Sequence, residues 1–91
     1  MILAKRKRYN EAFYIVEEVE GYELSLYGEK SNHVAKTYKT KANILLRLGE
    51  NDRAREYISK SISIFEELGN KVASKNAREI AKKIPDTMET E

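Results

Sequence analysis

The chain of 91 residues predicts an all-α fold of about four helices arranged as antiparallel hairpins, and three observations carry that expectation. Apolar residues recur at spacings of three and four rather than two, the period of a helix face. Only one proline, Pro85, and four glycines interrupt the pattern. Gly28, Gly49 and Gly69 stand between the periodic segments, where helix ends want a left-handed residue. A chain this short holds one domain with one modest core.

The first predicted helix covers residues 9 to 27, with Ala12, Phe13, Val16, Val19 and Leu26 on its inward stripe. Gly21 lies inside it and costs about 1 kcal/mol against alanine, so this helix is expected to be the least regular. Ser31 and Asn32 offer side-chain oxygens to the free amides of a second helix starting near His33, whose inward side is Val34, Tyr38, Ala42, Leu45 and Leu48. Gly49 ends it, and Asn51 or Asp52 is expected to cap a third helix facing inward through Ala54, Tyr57, Ile58, Ile62, Phe65 and Leu68. Gly69 and Asn70 repeat that punctuation. A fourth helix follows with Val72, Ala73, Ala77, Ile80, Ala81 and Ile84, stopped by Pro85, and residues 86 to 91 are expected to fray.

Composition narrows the function classes. Seventeen Lys and Arg stand against 15 Asp and Glu, and the net charge of +2 is too slight to dictate a partner by itself. Cysteine is absent, which removes disulfides, thiolate metal sites and cysteine nucleophiles, and fits a reducing compartment. Glutamine is absent too, and with abundant Lys, Glu and Arg this leans toward a thermophile. No apolar run approaches the ~20 residues of a membrane span, and Met1 to Ala4 is too short for a signal-peptide core, so a cytoplasmic protein without a membrane partner is expected.

Self-comparison brings out a repeat. RYNEAFYIVEEV from Arg8 aligns with ENDRAREYISKS from Glu50 at an offset of 42, placing Ala12 on Ala54, Val16 on Ile58 and Leu26 on Leu68. Residues 35 to 70, AKTYKTKANILLRLGENDRAREYISKSISIFEELGN, resemble a tetratricopeptide repeat of the longer variant, roughly 40 residues in length. Tyr38, Ala42, Leu45, Gly49, Ala54, Ile58 and Ser61 fall in the places that family gives to its large, small and turn residues. Two positions depart from it: Lys41 stands where leucine is usual, and Glu66 where the shorter form has proline. The resemblance implies a right-handed solenoid of hairpins over residues 1–84, with a partial first repeat at 1–30, a full repeat at 33–68 and a capping or next-repeat helix at 71–84, before an acidic tail at 85–91. In that register Lys5 to Arg8 form a solvated corner at an inter-helix turn, with Met1 to Ala4 the tail of an earlier helix. About two repeats' worth of helices is fewer than such arrays need, so a piece of a longer array, or a homodimer pairing its end helices, is expected.

Chemistry is not expected on this chain. His33 is the only histidine and falls in a loop, with capping or exposure as its expected role. Glu17, Glu18 and Glu20 point in different directions on a helix and read as a solvated acidic face. No glycine-rich phosphate loop, metal-ligand spacing or cofactor motif is present, so neither an enzyme nor a cofactor protein is predicted.

Charge is sorted by helix. Residues 33 to 48 hold Lys36, Lys39, Lys41 and Arg47 with no acid, and residues 71 to 84 hold Lys71, Lys75, Arg78, Lys82 and Lys83 against Glu79 alone, while segments 9–28 and 50–68 are net acidic. One reading is mutual attraction of neighbouring helices, ~0.2–1 kcal/mol per exposed pair. The other rests on the resemblance, in which first helices of successive repeats line a concave groove. Lys36, Lys39, Asn43, Leu46 and Arg47, with Lys75, Arg78 and Lys82, would then line a basic groove for an acidic or C-terminal peptide. Lys39 and Asn43 match the Lys and Asn of the family's carboxylate-gripping branch, although the family's second asparagine has no counterpart, Thr40 standing beside Lys39. The alternative is nucleic-acid binding through Lys5 to Arg8 and the two basic helices.

Overall fold

The computed structural model describes residues 2–85, with side chains described from Lys5 onward, and every regular element in it is helical. Helix α1 spans Ile2–Tyr27, α2 Asn32–Arg47, α3 Asn51–Glu67 and α4 Lys71–Lys83. The acidic tail predicted to fray at 86–91 lies outside the described residues.

Local chemistry sets the boundaries of α2, α3 and α4. Ser31 in extended conformation accepts the Val34 amide on its hydroxyl at 3.1 Å, starting α2 as expected. At its end Gly49 takes φ +80, the Glu50 amide reaches the Leu45 carbonyl at 2.9 Å and the Gly49 amide that of Leu46 at 3.1 Å. This pair of bonds satisfies the carbonyls that a helix end leaves open. Gly69 closes α3 the same way, through Asn70 to Phe65 at 2.9 Å and Gly69 to Glu66 at 3.1 Å. Asn70 then accepts the Ala73 amide on its side chain at 3.2 Å and opens α4. Ile84 is extended before Pro85, whose ring disfavours helical geometry in its predecessor. Helix α3 differs from the expectation: its N-cap is Glu50, which makes no side-chain capping bond, and neither Asn51 nor Asp52 takes that role.

Each helix packs antiparallel on its neighbour in sequence. Between α2 and α3, Ser61 donates from its hydroxyl to the Ala35 carbonyl at 2.7 Å, and the Tyr38 and Tyr57 rings lie 5.7 Å apart. Ala42 and Ala54 are both fully buried in the same cluster as Val34, Ala35, Leu45, Ile58 and Phe65. Small residues there let the helices approach closely while larger ones fill the flanks. Ala77 and Ile84 extend the cluster onto α4, and Phe13 and Leu24 cover it from α1.

Helix α1 departs most from expectation. It runs without a break through Lys5 to Arg8 and across Gly21, so the basic run is part of a helix rather than a turn between two. Nothing in residues 5 to 20 breaks a helix, since that stretch has neither proline nor glycine. Val19 and Leu26, expected inward, are exposed, and so are Leu68 and Val72. Phe13, Glu17, Glu20 and Leu24 occupy the side of α1 that meets α2, a face on which carboxylates replace part of the apolar stripe.

Candidate functional site

The seat of α1 on α2 is electrostatic as much as apolar, and it decides what the basic run faces. Lys41, on the inward face of α2, is almost fully buried. Its ammonium donates to Glu20 at 2.5 Å and to the Tyr57 hydroxyl at 3.2 Å, lies 3.6 Å from Glu17, and sits over the Tyr57 and Phe13 rings. Burial by itself pulls an ammonium pKa down, but the bonds to Glu20 and Tyr57 outweigh it and hold Lys41 above its ordinary 10.5. Glu17 and Glu20 are therefore not the solvated acidic face read from their spacing. Further along the same contact Thr37 donates to Glu23, and Tyr27 stacks on His33 with centroids 4.0 Å apart. At the other end, Arg6 donates to the Leu48 carbonyl at 3.4 Å, at the end of α2.

Held in this way, the first turns of α1 stand beside the last turns of α2 and α4. Tyr9, Asn43, Ile44, Arg47, Ile80 and Lys83 line a depression of about 480 Å³ between the three helices. Tyr9 and Arg47 also border a smaller recess of about 210 Å³ with Lys5 and Arg6. Among the described residues the combined lining carries Lys5, Arg6, Arg47 and Lys83, no carboxylate, and the apolar surfaces of Ile44 and Ile80 with the Tyr9 ring. Such a surface attracts anionic groups and offers apolar contact beside them.

On α2 the predicted residues share a face. Lys36, Lys39, Asn43 and Arg47 follow one another at helical spacing, with Lys39 half-buried and the others exposed, and the last two enter the depression. Leu46 is half-buried, packs against the core and is not among the residues lining the depression. On α4 the depression is lined by Ile80 and Lys83, and the predicted Lys75, Arg78 and Lys82 are not among its lining residues. Arg78 is ion-paired with Glu66 of α3 and borders a separate recess of about 380 Å³ with Gly69, Lys71 and Ser74. Successive turns place Lys75, Arg78 and Lys82 on the side of α4 away from Ile80.

Sequence reasoning missed Tyr9, Lys5, Arg6 and Lys83 as neighbours of Arg47. The available signal was the absence of any helix breaker in residues 5 to 20, which makes the basic run continuous with α1. It also missed the Lys41 cluster, whose signal was a cation among the apolar positions Tyr38, Ala42 and Leu45 with two carboxylates three apart on the preceding helix. Among the described residues no group of three or more His, Cys, Asp or Glu is placed to hold a metal ion, and no helix is long and apolar enough to cross a membrane. Comparisons with protein-family models, with curated proteins and with solved structures return no match.

Proposed function

We propose that this chain is a non-catalytic module of the tetratricopeptide type that binds an acidic or C-terminal peptide segment of a partner protein in the depression between α1, α2 and α4. The observation that carries the reading is the convergence of Lys5, Arg6, Arg47 and Lys83 around Tyr9, Ile44 and Ile80, with no carboxylate among the described lining residues. Arg47 and Lys83 attract acidic side chains or a terminal carboxylate, Asn43 orients a carbonyl, and the isoleucines take an apolar side chain. Lys36 and Lys39 extend the cationic stripe along α2 for the rest of the segment. Support for the repeat type comes from α2 and α3, where Tyr38, Ala42, Leu45, Ala54, Ile58 and Ser61 are all buried at the hairpin interface.

Titration calorimetry with acidic peptides bearing a free C-terminus tests the reading. Arg47→Glu with Lys83→Glu is expected to weaken binding at least about ten-fold, while Lys75→Glu with Lys82→Glu leaves it within about two-fold. Equal losses from both pairs would show that net charge alone drives binding. Nucleic acid is the second reading, favoured by the same convergence, because Lys5 and Arg6 join the α2 cations rather than standing apart from them. It predicts affinity for unrelated duplexes that falls steeply and log-linearly with salt, whereas a peptide groove discriminates among peptides at fixed salt.

A further inference from the structure

Helix α1 carries a second apolar stripe that the fold leaves bare. Ile15, Val19, Tyr22 and Leu26 follow one another at alternating steps of four and three, and their exposures are 61%, 41%, 72% and 73%. That spacing keeps all four on one narrow line of the helix, the seam of paired helices. It lies opposite the Phe13, Glu20 and Leu24 face that meets α2. The four side chains together expose roughly 500 Å², at the upper end of what a monomer leaves bare and below the ~800 Å² per partner of a stable interface, which fits a weak pair populated at high concentration.

We propose that this stripe pairs with the same stripe of a second copy, α1 against α1, in an antiparallel two-fold dimer. The stripe is symmetric about its midpoint between Val19 and Tyr22, so a second copy matches it residue for residue, and charge selects the direction. Helix α1 is polarised, with Lys5, Arg6, Lys7 and Arg8 at its start and Glu11, Glu17, Glu18, Glu20 and Glu23 after them, followed by Glu29 beyond its end. A parallel pair sets the cationic run of one copy against the other's and Glu18 against Glu18, which like charges oppose. An antiparallel pair centred between Val19 and Tyr22 joins Ile15 to the second copy's Leu26 and Val19 to its Tyr22. The same alignment carries Lys5 to Arg8 of each copy past the second copy's Tyr27, at the end of α1, so the two cationic runs no longer face each other. A two-fold axis makes each contact occur twice. The depression beside Tyr9 stays open, because it lies on the other side of α1.

Sedimentation equilibrium from about 1 to 300 µM reads the association by mass action. The wild-type mass is expected to rise from 10.5 kDa towards twice that value. Val19→Glu with Tyr22→Glu is expected to stay at the single-chain mass with unchanged helical circular dichroism and unchanged peptide affinity, which separates this surface from the peptide site. Because the chain has no cysteine, direction is read by trapping. Ile15→Cys chains mixed with Leu26→Cys chains are expected to form disulfide-linked mixed dimers, whereas Ile15→Cys chains alone do not link. A single-chain mass at every concentration overturns the proposal, including where the bare stripe instead takes up phospholipid vesicles or an unrelated helical peptide. Linking of Ile15→Cys to itself overturns the antiparallel geometry.

Discussion

Lys41 shows how a single buried charge organises this molecule. Its stem fills a place among Tyr38, Ala42 and Leu45, and its ammonium is met by Glu20, Glu17 and the Tyr57 hydroxyl, so no buried side-chain polar atom among the described residues lacks a partner. Removing one member leaves the others uncompensated, which costs far more than exchanging the whole set for apolar groups. Lys41→Ala is therefore expected to lose about 3 kcal/mol, while Lys41→Leu combined with Glu20→Leu retains most of the stability. The same site gives an alkaline signature. Lys41 has a raised pKa through its bonds to Glu20 and Tyr57 overcoming burial, and Tyr38 has one raised above 10.0 by burial and then by the Glu20 and Glu29 charges. Both hold their proton more tightly folded than unfolded, so their contribution is complete below about pH 10 and is lost as pH rises through the folded values. Urea midpoints measured from pH 8 to 11.5 are expected to be flat and then fall, and the fall is shallower in the double leucine variant, where Tyr38 alone remains. An equal fall in both proteins would detach the alkaline transition from Lys41.

At the scale of the element, two glycines test what begins and ends a helix. Gly21 lies inside α1 on the exposed side, and Gly49 follows α2 with φ +80; an added Cβ meets nothing within 4 Å at either position. With sterics removed from the comparison, backbone preference alone sets the sign. Gly21→Ala is expected to stabilise by about 0.5–1 kcal/mol, and Gly49→Ala to destabilise by about 1 kcal/mol or slightly more, as read from chemical unfolding midpoints at constant m. The contrast also marks how far local signals go. Helices α2 and α4 are legible because Ser31, Gly49, Gly69, Asn70 and Pro85 punctuate them in the positions helix ends require. Helix α1 carries two apolar stripes on opposite sides, one through Phe13 and Leu24 and one through Ile15, Val19, Tyr22 and Leu26, and periodicity alone cannot say which meets α2. The choice is made by Lys41, a tertiary partner that selects the face bearing Glu17 and Glu20.

Across the whole molecule, packing is strongest in the middle and graded outward, since each helix leans chiefly on the one before and after it in sequence. The basic site inherits that arrangement: Asn43 and Arg47 could be placed from the face of α2, but the rotation of α4 and the approach of Tyr9 depend on how three helices settle together. Helices α2 and α3 supply Val34, Ala35, Ala42, Ala54, Ile58 and Phe65, all fully enclosed, whereas none of the described side chains of α1 is buried to that degree. Helix α1 is held by Phe13 and Leu24, by the Lys41 cluster, by Glu23 on Thr37 and by the Tyr27 to His33 stack. Its undocking leaves most of the core intact, so it is expected to open separately and first. Native-state hydrogen exchange at low micromolar concentration, where pairing is minimal, reads this directly. Amides from Val16 to Tyr22 are expected to exchange at least about ten-fold faster than those of Ala42 and Ile58, a difference of ~1.4 kcal/mol in opening free energy. Raising the concentration into the range where copies associate is expected to slow the α1 amides while leaving Ala42 and Ile58 unchanged, because only α1 acquires a new partner. Uniform protection across all four helices would mean that α1 is an inseparable part of a single cooperative core.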